Sequence, residues 1–204
     1  MCGLIASTSL YTFGGNEALD RGVACLMSRG PDAGGVAVRD SFAVGHRRLT
    51  IIGDSEFGAQ PVTSKPGSVL VYNGEIYNYA GLAADLRIEA HSDTDVLYEI
   101  ASLGRWDLLN RLRGMFAFVH IDAERRVVTA ARDPYGIKPL YALKHSDGAW
   151  SFASTVAALS ASREVLAVDS VAIAGFLAEG LMPSGKSPFA QIEKLAPGEV
   201  VRTE

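Results

Sequence analysis

Apolar residues recur along this chain with two different periods, and the switches between them divide it into elements. Residues 3–7 are a short, mostly apolar run suited to a buried strand that places the N-terminus inside the fold. Over residues 16–27, Leu19, Val23, Leu26 and Met27 fall at helical spacing and predict one core face. Cys25 lies in that predicted helix and reads as a small buried hydrophobe. The helix stops at Arg29-Gly30-Pro31-Asp32, where a permissive Gly meets a φ-locked Pro. Alternation then takes over: residues 36–38 and Phe42, Val44 and His46 predict two strands joined as a hairpin through Arg39-Asp40-Ser41. A polar loop around Ala59-Gln60-Pro61-Val62 precedes a buried strand over residues 69–72, which ends at Asn73-Gly74, a pair suited to tight turning.

The second half repeats the pattern. Ile76, Tyr79, Leu82 and Leu86 make a helical stripe. Another helix starts at Ser92, with Asp95 completing a capping-box pattern and Val96, Ile100 and Leu103 facing the core. Strand pairs are predicted for residues 114–121 with 126–132, and for 140–144 with 149–153, the latter turning at Asp147-Gly148. Short helices follow near residues 155–160 and 171–178, and Pro197-Gly198 turns into a last strand at Val200-Val201. Antiparallel pairs with helices grouped between them indicate a layered α+β fold and not a βαβ parallel sheet. Without internal repeat or low-complexity tract, residues 1–204 read as one domain.

Composition narrows the functional classes. With 48% hydrophobic and 21% charged residues, the chain has the balance of a globular protein. It carries no apolar run long enough to span a membrane and no secretory leader, so the expected setting is cytoplasmic, with no membrane partner. A net charge of −4 without a basic block argues against nucleic acid. Two cysteines, Cys2 and Cys25, make no disulfide framework.

Cys2 has a different potential. Removal of Met1 would leave it as the N-terminal residue, with a thiol nucleophile and a free α-amine on one Cα. An α-amine titrates near pH ~8, so at neutral pH it can serve as the base for its own side chain. Further polar stretches stand at Arg29-Gly30-Pro31-Asp32, His46-Arg47-Arg48-Leu49, Asn73-Gly74-Glu75-Ile76-Tyr77-Asn78 and Ser92-Asp93-Thr94-Asp95. Taken singly, each has a structural reading. Asn73-Gly74 is equally a turn, Arg47-Arg48 a solvated strand end, and Asp93 a charge favoured at a helix N-terminus.

Together with Met1-Cys2-Gly3, Gly114-Met115-Phe116-Ala117-Phe118, the Arg132-Asp133-Pro134-Tyr135-Gly136-Ile137-Lys138-Pro139-Leu140-Tyr141 run and Phe152-Ala153-Ser154, these stretches resemble the glutaminase domain of class II glutamine amidotransferases, in the asparagine synthetase branch. The resemblance runs through essentially the whole chain in order. It implies a four-layer αββα N-terminal-nucleophile hydrolase sandwich with two antiparallel sheets. It also implies release of ammonia from the side-chain amide of L-glutamine through a Cys2 thioester. By the same resemblance Cys2 is the nucleophile, and Asn73 with the Gly74 N–H forms the oxyanion hole. Arg48 takes the α-carboxylate, helped by the main chain at Ile51 and Ile52, while Asp93 and Glu75 take the α-ammonium group. No metal and no cofactor is called for.

Three positions depart from the family pattern: Ser28 where His is common, Thr155 where an acid is usual, and Ala142 in place of a second aromatic. The chain also shows no phosphate-binding loop for ATP. The expected partner is therefore a separate ATP-dependent synthetase or another ammonia-accepting enzyme, unless the chain is a piece of a longer one. Two other readings are a non-catalytic regulatory or scaffold domain of a synthetase complex, and an N-terminal-nucleophile amidohydrolase acting on a different amide.

Overall fold

In the computed structural model, residues 1–39, 42–50, 58–63 and 65–203 are described. Two antiparallel sheets carry the fold. The first has the order β2 (Ala33–Arg39), β3 (Phe42–Arg48), β1 (Gly3–Ser7), β8 (Trp150–Ala153), β7 (Tyr141–Lys144), β9 (Ile192–Lys194). The second runs β10 (Val200–Thr203), β6 (Val127–Arg132), β5 (Gly114–Asp122), β4 (Ser68–Ile76).

Strand alternation sorts the core into three apolar layers. Between the sheets, Leu4, Ala6, Val44, Ala142 and Phe152 of the first face Val69, Val71, Ala117, Val119, Val128 and Ala130 of the second. On the outer side of the first sheet, Ile5, Ala43 and Leu143 pack against Leu19 of α2 (Gly15–Ala24), Phe13 of α1 (Leu10–Phe13) and Leu159 of α5 (Val156–Leu159). On the outer side of the second, Leu70, Ile76 and Phe118 pack against Leu82 of α3 (Tyr79–Leu86) and Val96, Leu97 and Ile100 of α4 (Asp93–Ser102). The result is the expected four-layer αββα sandwich. A sixth helix, α6 (Ser170–Glu179), buries only Ala172. Among the described residues, no helix is long and apolar enough to cross a membrane.

Several local expectations change. Cys25 is exposed, because α2 ends before it and it serves as the C-cap. Met27 and Leu103 also point to solvent, at 53% and 54% exposure, each lying beyond the regular turns of its helix. Ile76 belongs to β4 and not to a helix. The hydrophobic periods gave no sign of α1, β9 or the 3-10 turn at Trp106–Arg111, all too short to show one. At Ser92 the capping box forms as expected, with the Ser92 hydroxyl accepting from the Asp95 N–H and the Asp95 carboxylate accepting from the Ser92 N–H.

The largest correction concerns Asn73-Gly74. The pair does not turn; β4 continues through it to Ile76, in register with β5 from Ser68↔Asp122 to Ile76↔Gly114. Glycine is needed at 74 for closeness and not for a left-handed backbone: a Cβ there would sit 2.2 Å from the Met115 carbonyl oxygen and 2.7 Å from Phe116 Cα.

Two buried histidines give the sandwich an acid sensitivity. His46 and His120 are 1% and 3% exposed, and burial lowers each to about 4 from an ordinary 6.5. For His46 the bond to the Tyr72 carbonyl opposes the shift, while Arg48 and Arg47 add to it; for His120 the Asp122 charge opposes it. Between pH 6.5 and about 4 the unfolded chain therefore binds protons that the folded chain refuses. Stability is intact above pH 6.5 and falls as the pH drops through this window, by up to about 3 kcal/mol per histidine. Urea unfolding at a series of pH values should show this decline, and His120→Gln should flatten part of it. A flat profile above pH 5 in the wild type would contradict the assignment.

Candidate active site

The site forms at one end of the sandwich, where β1 begins and β4 approaches its end. Positions 4 and 6 of β1 point between the sheets, so Cys2, two residues before Leu4, belongs to the same face. Position 73 of β4 follows 69 and 71 onto the facing side. The strand periods thus aim Cys2 and Asn73 into one space from opposite sheets. Cys2 is partly buried, and its Sγ lies 3.8 Å from the Leu49 carbonyl oxygen.

The Arg29-Gly30-Pro31-Asp32 motif holds this end together. Arg29 Nε donates to the Cys2 carbonyl at 3.1 Å. Burial lowers the Arg29 guanidinium from its ordinary value, against the raising influence of Cys2 and Tyr141, and its Nη2 is buried with no hydrogen-bond partner among the described residues. Gly30 lies so close to β3 that a Cβ would be 2.3 Å from the Arg47 carbonyl. Arg47 donates to the Gly30 and Pro31 carbonyls at 2.9 and 3.1 Å, the Asp32 N–H donates to the Arg48 carbonyl, and Thr50 N–H donates to Asp32 Oδ2. The motif is a clamp on the 47–50 segment, which leads into the site.

On β3, residues 42, 44, 46 and 48 share the inter-sheet face. His46 Nε2 donates to the Tyr72 carbonyl at 3.0 Å and so ties the two sheets together beside Asn73. Arg48 lies one step further out. Gly58 stands between it and α4: a Cβ on Gly58 would be 3.7 Å from Arg48 Nη2 and 3.8 Å from Thr94 Oγ1. The Arg48 guanidinium and the first turn of α4 thus flank Gly58 on two sides, and Asp93 is the first residue of that helix. Asp93 Oδ2 accepts from Tyr72 Oη at 2.7 Å and from the Ile76 N–H at 2.9 Å.

The free edge of β4 supplies the second donor. N–H groups at 70, 72 and 76 point away from β5, to the Val62 carbonyl, Gln60 Oε1 and Asp93 Oδ2 respectively. By the two-residue period the Gly74 N–H points the same way, and no acceptor meets it among the described residues. Asn73 is 1% exposed, and its Nδ2 is buried without a hydrogen-bond partner among the described residues. A buried amide nitrogen left unpaired among the described residues is uncommon, since buried polar groups are nearly always paired, and the half-buried Gly74 N–H stands next to it.

Of the sequence-predicted residues, Cys2, Arg48, Asn73, Gly74 and Asp93 come together at this end. Glu75, two residues past Asn73 on the same face, is partly buried. Ile51 and Ile52 lie outside the described residues. Tyr72 had no role in the sequence reading; its one available signal was a phenol in an otherwise apolar strand beside Asn73. The loop after β6 is held from within: Arg132 donates to the Lys138, Gly136 and Leu195 carbonyls, and the Asp133 carboxylate accepts from the N–H groups of Tyr135, Ile137 and Lys138. A separate cavity of 470 Å³ opens at the far end of the sandwich, between Arg39 and Phe42 on one sheet and Ser68 and Ala123 by the other. It shares no residue with the Cys2 site.

The family model described as "Glutamine amidotransferase domain" matches residues 1–204. The chain belongs to this family. Among curated relatives, this glutamine amidotransferase domain is 31% identical over 208 residues to asparagine synthetase [glutamine-hydrolyzing] 1 of Bacillus subtilis (strain 168), covering 97% of this chain and 33% of the relative. It is 33% identical to asparagine synthetase [glutamine-hydrolyzing] 3 of the same organism, covering 91% of this chain and 31% of the relative. It thus spans about a third of the length of these relatives. The fold is shared with the glutamine phosphoribosylpyrophosphate amidotransferase of B. subtilis, with a TM-score of 0.63 and 23% identity over 78% of this chain and 43% of that one. The glutamine amidotransferase domain is therefore an asparagine synthetase-like member with an αββα architecture.

Proposed function

We propose that this domain hydrolyses the side-chain amide of L-glutamine to glutamate and ammonia, and passes the ammonia to an ATP-dependent synthetase. The observation that carries the reading is the pair of donors left unpaired among the described residues, Asn73 Nδ2 and the Gly74 N–H, on the strand facing Cys2. Once Met1 is removed, the Cys2 α-amine accepts the thiol proton as Sγ attacks the amide carbon. The carbonyl oxygen becomes negative, and the two donors receive it. Collapse of the tetrahedral intermediate breaks the C–N bond, the α-amine returns the proton to the leaving nitrogen, and a thioester remains. Water attacks it, with the same amine as base, to release glutamate.

At the other end of the substrate, Arg48 pairs with the α-carboxylate, as a guanidinium does bidentately. Asp93 accepts from the α-ammonium group, with Glu75 beside it and the main chain at Ile51 and Ile52 completing the clamp. The requirement for both charges disfavours amides that lack an amino-acid head.

Mass spectrometry of the intact protein, before and after a diazoketone analogue of glutamine, tests the reading directly. The expected result is loss of Met1 and a single adduct on Cys2 that excess glutamine prevents. Ammonia release by protein that retains Met1, or an adduct placed elsewhere, would sink it.

A further inference from the structure

Tyr72 is 2% exposed and carries three polar links at once. Its N–H donates to Gln60 Oε1 at 2.6 Å, its carbonyl accepts from His46 Nε2 at 3.0 Å, and its hydroxyl donates to Asp93 Oδ2 at 2.7 Å. The same Oδ2 takes the Ile76 N–H, so that oxygen is filled by two donors from one strand. Oδ1 makes no hydrogen bond among the described residues. A carboxylate pinned through one oxygen has a fixed plane and presents the other in a fixed direction.

We propose that Tyr72 is the positioning residue that makes the site selective for amides bearing an α-amino group: its hydroxyl fixes Asp93 Oδ2 so that Oδ1 is held out as the acceptor for the substrate ammonium. The proposal rests on the reading of Asp93 as the ammonium site given above. Burial, and after it the charge of Asp93, pushes the Tyr72 phenol up, so the hydroxyl remains a donor wherever the protein is folded. Without it, the carboxylate keeps one backbone donor and gains freedom to rotate. The Asp93 charge survives, but its direction is lost.

The test compares glutamine with 5-amino-5-oxopentanoate, the same amide without the α-amino group, using the processed full chain. Tyr72→Phe removes one hydroxyl and should raise KM for glutamine about tenfold with kcat within about threefold, the factor expected for one hydrogen bond to a charged group. The preference for glutamine over the deamino amide should fall by the same factor. Tyr72→Met, which fills the space without a hydroxyl, should reproduce the change in preference, so a folding defect of one variant does not decide the matter. An equal loss on both substrates, or a fall in kcat at constant KM, would mark Tyr72 as a packing residue and overturn the proposal. Asp93→Asn separates the two levels. If it leaves the preference intact, the ammonium-site reading itself fails; if it abolishes the preference while both Tyr72 variants keep it, only the role of Tyr72 fails.

Discussion

Cys2→Ala should lower ammonia release from glutamine by on the order of 10⁴-fold or more, with thermal stability changed by no more than a degree or two. Removing the nucleophile leaves only binding and oxyanion stabilisation, and in enzymes whose catalytic groups act as a unit such a deletion costs most of the rate enhancement. The fold has little to lose, because the side chain is partly buried and its hydrogen-bond-like contact among the described residues is the 3.8 Å approach to the Leu49 carbonyl. A second variant separates thiol from amine. Inserting a glutamate between Met1 and Cys2 keeps the thiol but leaves its nitrogen in a peptide bond, which cannot act as a base. General-base contributions run to about 10²–10⁴-fold, and a loss in that range is expected. Steady-state glutaminase assays on both variants check it. If the extended chain worked as well as the wild type, the α-amine would have no role; if Cys2→Ala kept its activity, neither would the thiol.

How far this site was legible in the sequence depends on the range of the interaction that builds it. Ser92 and Asp95 announced a helix start because a capping box is local, closed within four residues. The inter-sheet faces were legible through alternation at Val69, Val71, Val128 and Ala130. Asn73-Gly74 was misread as a turn because its composition permits one; what decides is the β5 backbone 2.2 Å from where a Gly74 Cβ would be, a contact between residues 41 positions apart. A turn would also have sent the Gly74 N–H elsewhere, so the continuity of β4 is what makes it available on a free strand edge. Cys25 went wrong for the opposite reason: its period matched a helix face, but the helix ended one residue too soon. The pinning of Asp93 by Tyr72 was invisible, since it joins a strand to a helix start across 21 residues. Motifs named the residues; only the strand registers give them a common space.

Asn73→Ala should lower kcat by about 100- to 1,000-fold, the usual cost of one oxyanion-hole donor, with KM for glutamine within about threefold. The donor meets charge that exists only after Cys2 has attacked, so the loss belongs to the transition state and not to substrate binding. Stability provides the independent check. A buried asparagine kept for structure would have its amide paired, and alanine would then cost about 1–3 kcal/mol through the partners left behind. Here Nδ2 has no partner to abandon among the described residues. Its burial unpaired is already unfavourable in the free protein, so Asn73→Ala should leave the melting temperature unchanged or raise it. Loss of activity with retained or increased stability is the signature of a donor held ready for charge that develops during the reaction. The reverse pattern, a lower melting temperature with kcat preserved, would make Asn73 a structural residue and remove the observation on which the glutaminase reading rests.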